Sequence, residues 1–174
     1  MAVTLAPHDP AWVQAFAAEA VAISAAVPGL TLHHIGSTAI PGILAKPIID
    51  MLGDVPALRL VEAASPRLAA LGYQVMGAFG IEGRRYFRKD DARGNRTHHL
   101  HVFASGSAHL VRHLAFRDYL RAHPDVAAAY AATKAALAHR DDYADAKAPF
   151  VRATEAEALA WTQVTASDCR IRAR

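Results

Sequence analysis

Two short segments in the first third of the chain carry residues suited to binding phosphate and to holding a buried charge. Gly36 and Ser37 follow one apolar segment, and Asp50 lies inside the apolar run 48–52. Glycine lets the backbone approach a ligand closely, and serine offers phosphate oxygens both an amide and a hydroxyl. A carboxylate in a buried strand needs a partner, because unpaired burial costs several kcal/mol. The pattern indicates a phosphate-binding turn beside an acid that requires a counter-charge.

Each feature also has a purely structural explanation. Gly36 and Ser37 would suit an ordinary turn in which the serine caps a helix. Asp50 could be a buried acid paired with Lys46 or with an arginine. Spacing alone does not decide between these explanations and the functional ones.

A pair of histidines further along the chain adds candidate metal ligands. His99 and His101 would share one face of a strand, while Leu100 and Val102 point to the other. Neutral imidazole is a good ligand for zinc, manganese or nickel and a poorer one for magnesium. One aspartate and two histidines would therefore favour a transition metal. The alternative is a pair of hydrogen-bonded histidines that line a polar cleft.

Hydrophobic periodicity and turn residues predict an alternation of helices and strands that would position these groups. The first helix is expected to begin at Asp9-Pro10 and to end at Pro28-Gly29. The predicted strands are residues 30–35, 48–52, 73–78, 84–88 and 98–104. The other predicted helices are residues 53–71 with a break at Ser65-Pro66, 109–122, 124–139 and 143–165.

This order predicts an α+β fold, with a small mixed sheet flanked by helices and a C-terminal helical subdomain. We expect one domain over residues 1–174, in which residues 1–108 contain the sheet and residues 109–174 are helical.

Composition narrows the class of protein. The formal net charge is +3, and acidic residues are interspersed with the basic ones. The most basic segment is 84–89, which fits either a hairpin strand that contacts phosphates or a solvated strand edge. Because no block of like charges accompanies it, a nucleic-acid partner is not expected. No apolar run approaches a membrane span, and the first residues do not read as a signal peptide. With Cys169 as the single, incidental thiol, we expect a cytoplasmic protein.

The chain resembles the GrpB family, a branch of the nucleotidyltransferase superfamily. The resemblance rests first on residues 34–42 and 45–50, and it extends in order over almost the whole chain. The further matching positions are Asp9 to Trp12, 71–73, 99–102, 114–124, Tyr130, Lys134, Tyr143 and Lys147. The resemblance implies a nucleotidyltransferase fold. Some relatives are fused to dephospho-CoA kinase, where the domain looks like an accessory module.

The resemblance also implies roles for individual residues. Asp50 matches the catalytic, metal-binding carboxylate, and a divalent ion (Mg, Mn or Zn) is expected there with His99 and His101 as further ligands. The superfamily usually has a second acid two positions after the first, on the same strand face, and here that position is Leu52. The residues expected to bind nucleotide or phosphate are Gly36, Ser37, Thr38, Lys46, Arg85, Arg117, Arg121 and Lys147.

Three functions follow from these expectations. The first is a metal-dependent nucleotidyltransferase that moves a nucleoside monophosphate from a nucleoside triphosphate to an unknown acceptor. The second is a non-catalytic nucleotide- or phosphate-binding module of a partner enzyme, for example in coenzyme A metabolism, which Leu52 favours. The third is a transition-metal hydrolase built on Asp50, His99 and His101.

Overall fold

The structure, a computed structural model, describes residues 3–172, with side chains described through Thr165. Its helices are α1 (Ala11–Ala26), α2 (Leu58–Ala63), α3 (Ser65–Ala70), α4 (Ala108–Ala122), α5 (Pro124–Leu137) and α6 (Tyr143–Arg172). Its strands are β1 (Thr31–Ile35), β2 (Ile49–Val55), β3 (Tyr73–Val75), β4 (Arg84–Asp90) and β5 (Arg96–Ala104). A short 3₁₀ turn, Ser37–Ala39, follows β1. The side chain of Cys169 lies outside the described residues.

The strands form one mixed sheet in the order β1-β2-β5-β4-β3. β2 and β5 are parallel, whereas the other three pairings are antiparallel. Parallel neighbours need a long crossover connection, and here α2, α3, β3 and β4 provide it. The β2–β5 register sets Asp50 opposite His99 and Leu52 opposite His101, so the candidate metal ligands lie on one face.

Helices cover both faces of the sheet. The face that carries Met51, Leu100 and Val102 packs against α1, α2 and α3 in the main hydrophobic core. On the opposite face, Leu52 and Phe103 pack against α4 through Leu110. The sheet thus separates an apolar layer from a layer that is polar where the candidate ligands lie.

The loop after the 3₁₀ turn joins the sheet to the C-terminal helices. Ile40 and Ile43 pack with Leu120 of α4 and with Ala127 and Tyr130 of α5. This contact holds the turn between the sheet and the helices. The predicted α+β plan, with a small mixed sheet and helical C-terminal part, is confirmed.

Some predicted boundaries were wrong. β3 ends at Val75 instead of residue 78, because Gly77 takes a positive φ of 62° and turns the chain. β2 continues to Val55, so the next helix begins only at Leu58. Within residues 3–172, no helix combines the length and apolar character needed to cross a bilayer.

Candidate functional site

The turn after β1 lies directly against β2. Gly36 has a φ of 69°, in the left-handed region that favours glycine. A Cβ atom at this position would stand 2.9 Å from the Cβ of Asp50 and would overlap its carboxylate. The absence of a side chain is therefore what lets the turn approach Asp50 so closely.

Asp50, His99 and His101 form a compact group. One ligand atom from each of the three side chains lies within 4.8 Å of the others. His99 Nδ1 donates a hydrogen bond to Asp50 Oδ1 at 2.9 Å, and Arg84 Nη1 lies 3.4 Å from His101 Nδ1. One carboxylate and two imidazoles are a suitable donor set for a divalent transition metal, so the residues fit such an ion.

The electrostatics of this group suit metal binding. Burial alone would raise the pKa of Asp50, but the hydrogen bond from His99 and nearby positive charge, including that of Lys147, hold it below its usual value. Burial lowers the pKa of His101 to about 4, against the opposing attraction of Asp50. Near pH 7 the carboxylate is therefore ionised and the His101 ring is neutral, which are the forms that bind metal ions.

A cleft of about 330 Å³ opens on one side of Asp50. We call it the lysine cleft, because three of the four lysines in the chain line it: Lys46, Lys134 and Lys147. Its other polar walls come from Ser37, Asp50, His99 and Tyr143. The structure thus brings the predicted residues Ser37, Lys46 and Lys147 together with the acid.

Lys134 is the most unusual member of the cleft. Its side chain is only 1% exposed, and its Nζ donates to Ser37 Oγ at 2.8 Å and to the carbonyl of Leu44. The Nζ also lies 4.5 Å from the centre of the Tyr130 ring. Burial, assisted by the charge of Lys147, lowers the pKa of Lys134 to about 7. Such a buried ammonium favours an anionic ligand beside Ser37.

Thr38, which the sequence also predicts as a phosphate ligand, does not line the lysine cleft. Its side chain is 1% exposed, and its hydroxyl donates to the carbonyl of Ile48 at 3.2 Å. His34 Nε2 lies 3.0 Å from the same hydroxyl, and the His34 ring stacks on Phe16. Both residues thus support the turn from the interior of the protein.

Arg85, another predicted phosphate ligand, lies away from the lysine cleft. The β4–β5 register sets Arg85 opposite Val102, on the face away from His99 and His101. Its guanidinium pairs with Glu62 of α2, with Nε 2.6 Å from the carboxylate. The sequence predicts that side chains along β4 alternate between the two faces of the sheet. It does not predict which of these faces carries His99 and His101.

Arg117 and Arg121, which the sequence also predicts as phosphate ligands, hold the turn from outside the lysine cleft. Arg117 Nη1 donates to the carbonyl of His34 at 3.2 Å, and its other nitrogens hold Asp118. Arg121 Nε donates to the carbonyl of Ala39 at 2.9 Å. Two arginines of α4 thus fix both ends of the segment that carries Gly36 and Ser37.

Among the side chains that the structure describes, no second acid joins Asp50 in place of the one that Leu52 excludes on β2. Leu52 is fully buried against Phe103 and Leu110, and Asp54 accepts a hydrogen bond from the Ser105 hydroxyl at the far end of the strand. Asp54 lies within β2. The carboxylate of the described cluster is therefore that of Asp50.

Sequence reasoning matched Lys134 to a family position but did not place it in the site. The lysine and Ser37 are 97 residues apart, and only the folded α5 brings them together. One feature of the sequence points to Lys134: it is the only lysine in α5, a helix rich in alanine. A charged residue in such an apolar helix is unusual.

Comparison with solved structures identifies the fold. A crystal structure of conserved protein GrpB from Enterococcus faecalis is 38% identical, has a TM-score of 0.86, and covers 92% of this chain and 99% of that one. The structure of a GLD-2/RNP-8 complex gives a TM-score of 0.52 at 13% identity, covering 74% of this chain and 54% of that one. The Cid1 poly(U) polymerase gives 0.50 at 11% identity, covering 70% and 40%. The chain has the nucleotidyltransferase fold.

Two relatives match most of this chain. The UPF0157 protein YqkA of Bacillus subtilis is 44% identical over 137 residues, which cover 76% of this chain and 39% of the relative. A UPF0157 protein of Pseudomonas aeruginosa is 48% identical over 138 residues, which cover 77% and 56%. This chain therefore spans about half the length of these relatives or less. The family model described as GrpB protein matches residues 2–157, and the chain belongs to the GrpB family.

Proposed function

We propose that this chain is a metal-dependent nucleotidyltransferase, which moves a nucleoside monophosphate from a nucleoside triphosphate to an acceptor hydroxyl. The observation that carries the proposal is that the Asp50 carboxylate shares one cleft with three lysines. A triphosphate is a polyanion, which calls for several cations, and its reacting phosphate calls for a metal-binding acid nearby. The nucleotidyltransferase fold supports this assignment.

The lysine cleft would hold the two outer phosphates. Lys134 and Lys147 would neutralise their charge, and Ser37 would donate a hydrogen bond from its hydroxyl or amide. Lys134 contacts a hydroxyl, a carbonyl and an aromatic ring, so a bound phosphate would supply its counter-charge. Lys46 is exposed at the cleft and would act as a mobile contact.

Asp50, His99 and His101 would hold the divalent ion. When bound, such an ion supplies positive charge to the phosphate oxygens and lowers the pKa of the acceptor hydroxyl. Because two of the three ligands are nitrogens, manganese or zinc suits the set better than magnesium. Asp50 would exchange its hydrogen bond with His99 for a bond to the ion.

The reaction balances as follows. The acceptor oxygen forms a bond to the α-phosphorus, and the bond from that phosphorus to the bridging oxygen breaks. Pyrophosphate leaves with the electron pair, and the hydroxyl proton passes to water. Ser37, Lys134 and Lys147 would stabilise the negative charge that develops on the leaving pyrophosphate, and a preorganised site of this kind is an effective source of catalysis.

A thermal-shift screen tests the binding step. Each nucleoside triphosphate would be added with and without magnesium, manganese and zinc. A ligand at 100 times its dissociation constant adds about 2.7 kcal/mol of stability, which raises the melting midpoint by several degrees. We expect a metal-dependent shift that Asp50→Asn and Lys134→Met abolish. Lys89→Met, which changes the one lysine outside the cleft, is the matched control and should keep the shift.

Midpoints that ignore every triphosphate and metal would contradict the proposal. So would a shift that survives in both Asp50→Asn and Lys134→Met, because the nucleotide would then bind elsewhere.

Leu52 favours a second candidate, a nucleotide-binding module without turnover. Its side chain is fully buried in an apolar cluster where the superfamily usually has a second acid. A triphosphate labelled at the α-phosphate distinguishes the two functions. Transfer of label to an acceptor supports the enzyme, whereas nucleotide binding without transfer to any acceptor supports the module.

A further inference from the structure

A second, smaller cavity lies on the other side of Asp50. Its volume is about 230 Å³, and its polar walls come from His101, Arg112, His113 and Glu155. Asp50 lines both this cavity and the lysine cleft. The two cavities therefore meet at the carboxylate that would bind the metal ion.

The turn after β1 divides the two cavities. Gly36 lines the smaller cavity, whereas the next residue, Ser37, lines the lysine cleft. A phosphate held by Ser37 and Lys134 would thus be separated from the smaller cavity by the turn and by Asp50.

The geometry of phosphoryl transfer suggests a role for two cavities that meet at one carboxylate. The attacking oxygen and the leaving oxygen lie roughly in line, on opposite sides of the reacting phosphorus. If the leaving pyrophosphate lies in the lysine cleft, the attacking group must arrive from the other side of Asp50. The smaller cavity opens at that position.

The charges of the two cavities differ. Three lysines line the first, and none lines the second. In the second, Arg112 Nη1 and Glu155 Oε1 form an ion pair at 2.6 Å, so their charges offset each other. The cavity is therefore polar without an excess of positive charge.

Size and charge together define what the cavity can hold. At about 230 Å³ it is smaller than the roughly 300–1,000 Å³ of sites for drug-sized ligands. Ile35, Phe116 and Val151 provide apolar walls beside the polar groups. A nucleic-acid end would bring several phosphates, and this cavity has no lysine to neutralise them.

Building on the proposed nucleotidyl transfer, we propose that the smaller cavity binds the acceptor and that the acceptor is a small alcohol without phosphate groups. Arg112 and Glu155 would orient it by hydrogen bonds to its polar groups. The acceptor hydroxyl would face Asp50, attack the α-phosphorus and lose its proton to water, while pyrophosphate leaves into the lysine cleft.

A transfer assay with two classes of acceptor tests this assignment. The full chain would be incubated with manganese and a nucleoside triphosphate labelled at the α-phosphate. One set of reactions would contain small alcohols, namely glycerol, inositol, glucose and serine, and the other an oligoribonucleotide with a free 3′ hydroxyl. We expect label on a small alcohol and none on the oligoribonucleotide.

Two variants of α6 link the result to the cavity. Glu155→Gln should reduce transfer to the alcohol at least tenfold and leave the thermal shift with triphosphate unchanged. Glu157→Gln is the matched control: Glu157 lies on the same helix but contacts the Tyr119 hydroxyl, and transfer should stay at the wild-type rate.

Three outcomes would overturn the assignment while nucleotide binding remains intact. These are transfer to the oligoribonucleotide, transfer to an alcohol that Glu155→Gln leaves unchanged, and no transfer to any small alcohol. If triphosphates produced no thermal shift in the wild-type protein, the proposed function itself would be overturned.

Discussion

The ammonium of Lys134 lies 2.8 Å from the hydroxyl of Ser37, although the two residues are 97 positions apart in the chain. This contact ties α5 to the turn after β1 and places a buried cation at the point where the sequence predicts phosphate. Because the lysine is desolvated, its protonation links the stability of the protein to pH.

Lys134 should make the protein more stable as the pH rises from about 7 towards 10. Its pKa falls from 10.5 to about 7 in the folded chain, so between these values the unfolded chain holds a proton that the folded chain lacks. The unfolding free energy therefore rises with pH over this range, by about 1.36 kcal/mol per unit of pKa difference. Urea unfolding of the wild type and of Lys134→Met at pH 6 to 10 measures the effect.

The wild type should gain stability relative to Lys134→Met across that range and should not below pH 7. Parallel profiles for the two proteins would mean that the lysine keeps an ordinary pKa.

Phosphate binding should show the opposite dependence on pH. An anion binds the protonated lysine, so the affinity for phosphate should fall as the pH rises above 7.

Gly36→Ala should damage both the fold and the site. The positive φ of 69° would strain alanine, and its Cβ would overlap the Asp50 carboxylate. We expect a loss of about 1–3 kcal/mol of stability and loss of metal-dependent nucleotide binding. Gly42→Ala is the control, since Gly42 has a φ of 78° but nothing within 4 Å of its would-be Cβ. Equal effects of both substitutions on nucleotide binding would show that the contact with Asp50 is irrelevant.

His34 should contribute to acid unfolding. Burial, together with the charge of Arg121, lowers its pKa to about 4. Between pH 6.5 and 4 the unfolded chain binds a proton at this ring that the folded chain does not, so stability falls as the pH falls through that window. His34→Phe keeps the stacking on Phe16 and removes the titration. Its melting midpoint should fall less between pH 7 and 4 than that of the wild type, and an unchanged slope would exclude His34 as a cause.

Arg121→Ala should weaken nucleotide binding without removing a ligand contact. The side chain donates to the carbonyl of Ala39, which belongs to a residue only 4% exposed. An unsatisfied buried carbonyl costs about 1–3 kcal/mol, and the freed turn would hold Ser37 less firmly. We expect a lower melting midpoint and several-fold weaker triphosphate binding by titration calorimetry. The exposed Arg152→Ala on α6 should change neither quantity.

Asp50, His99 and His101, the candidate metal ligands, lie together in the structure, and local sequence pattern explains part of this. Alternation along a strand puts His99 and His101 on one face, and an acid within an apolar strand stands out in any sequence. Their meeting with Asp50 depends on the parallel pairing of β2 with β5, a long-range contact that spacing within the sequence does not reveal.

The contacts of the arginines are the part of the site that the sequence does not determine. Arg85, Arg117 and Arg121 are long side chains with many partners in reach, and local pattern does not choose among them. The fold uses Arg85 to bind Glu62, and uses Arg117 and Arg121 to hold backbone carbonyls of the turn. Thr38 is similar, since the side chain of a threonine in a turn can face a cleft or the interior, and here it is buried.

The parallel pairing of β2 with β5 also sets when the site appears as the chain folds. Asp50 and His99 are 49 residues apart in the chain. Contacts so distant in sequence form slowly, because closing the long loop costs entropy before the contact can stabilise the chain. The connecting elements, from α2 to β4, emerge from the ribosome before β5 does. The ligand group is therefore complete only after synthesis has passed His101, and the lysine cleft only after α5 and the start of α6 have docked. If the site binds a metal ion and a nucleotide, only chains that have been synthesised and folded through the start of α6 would bind both. Shorter folding intermediates would not.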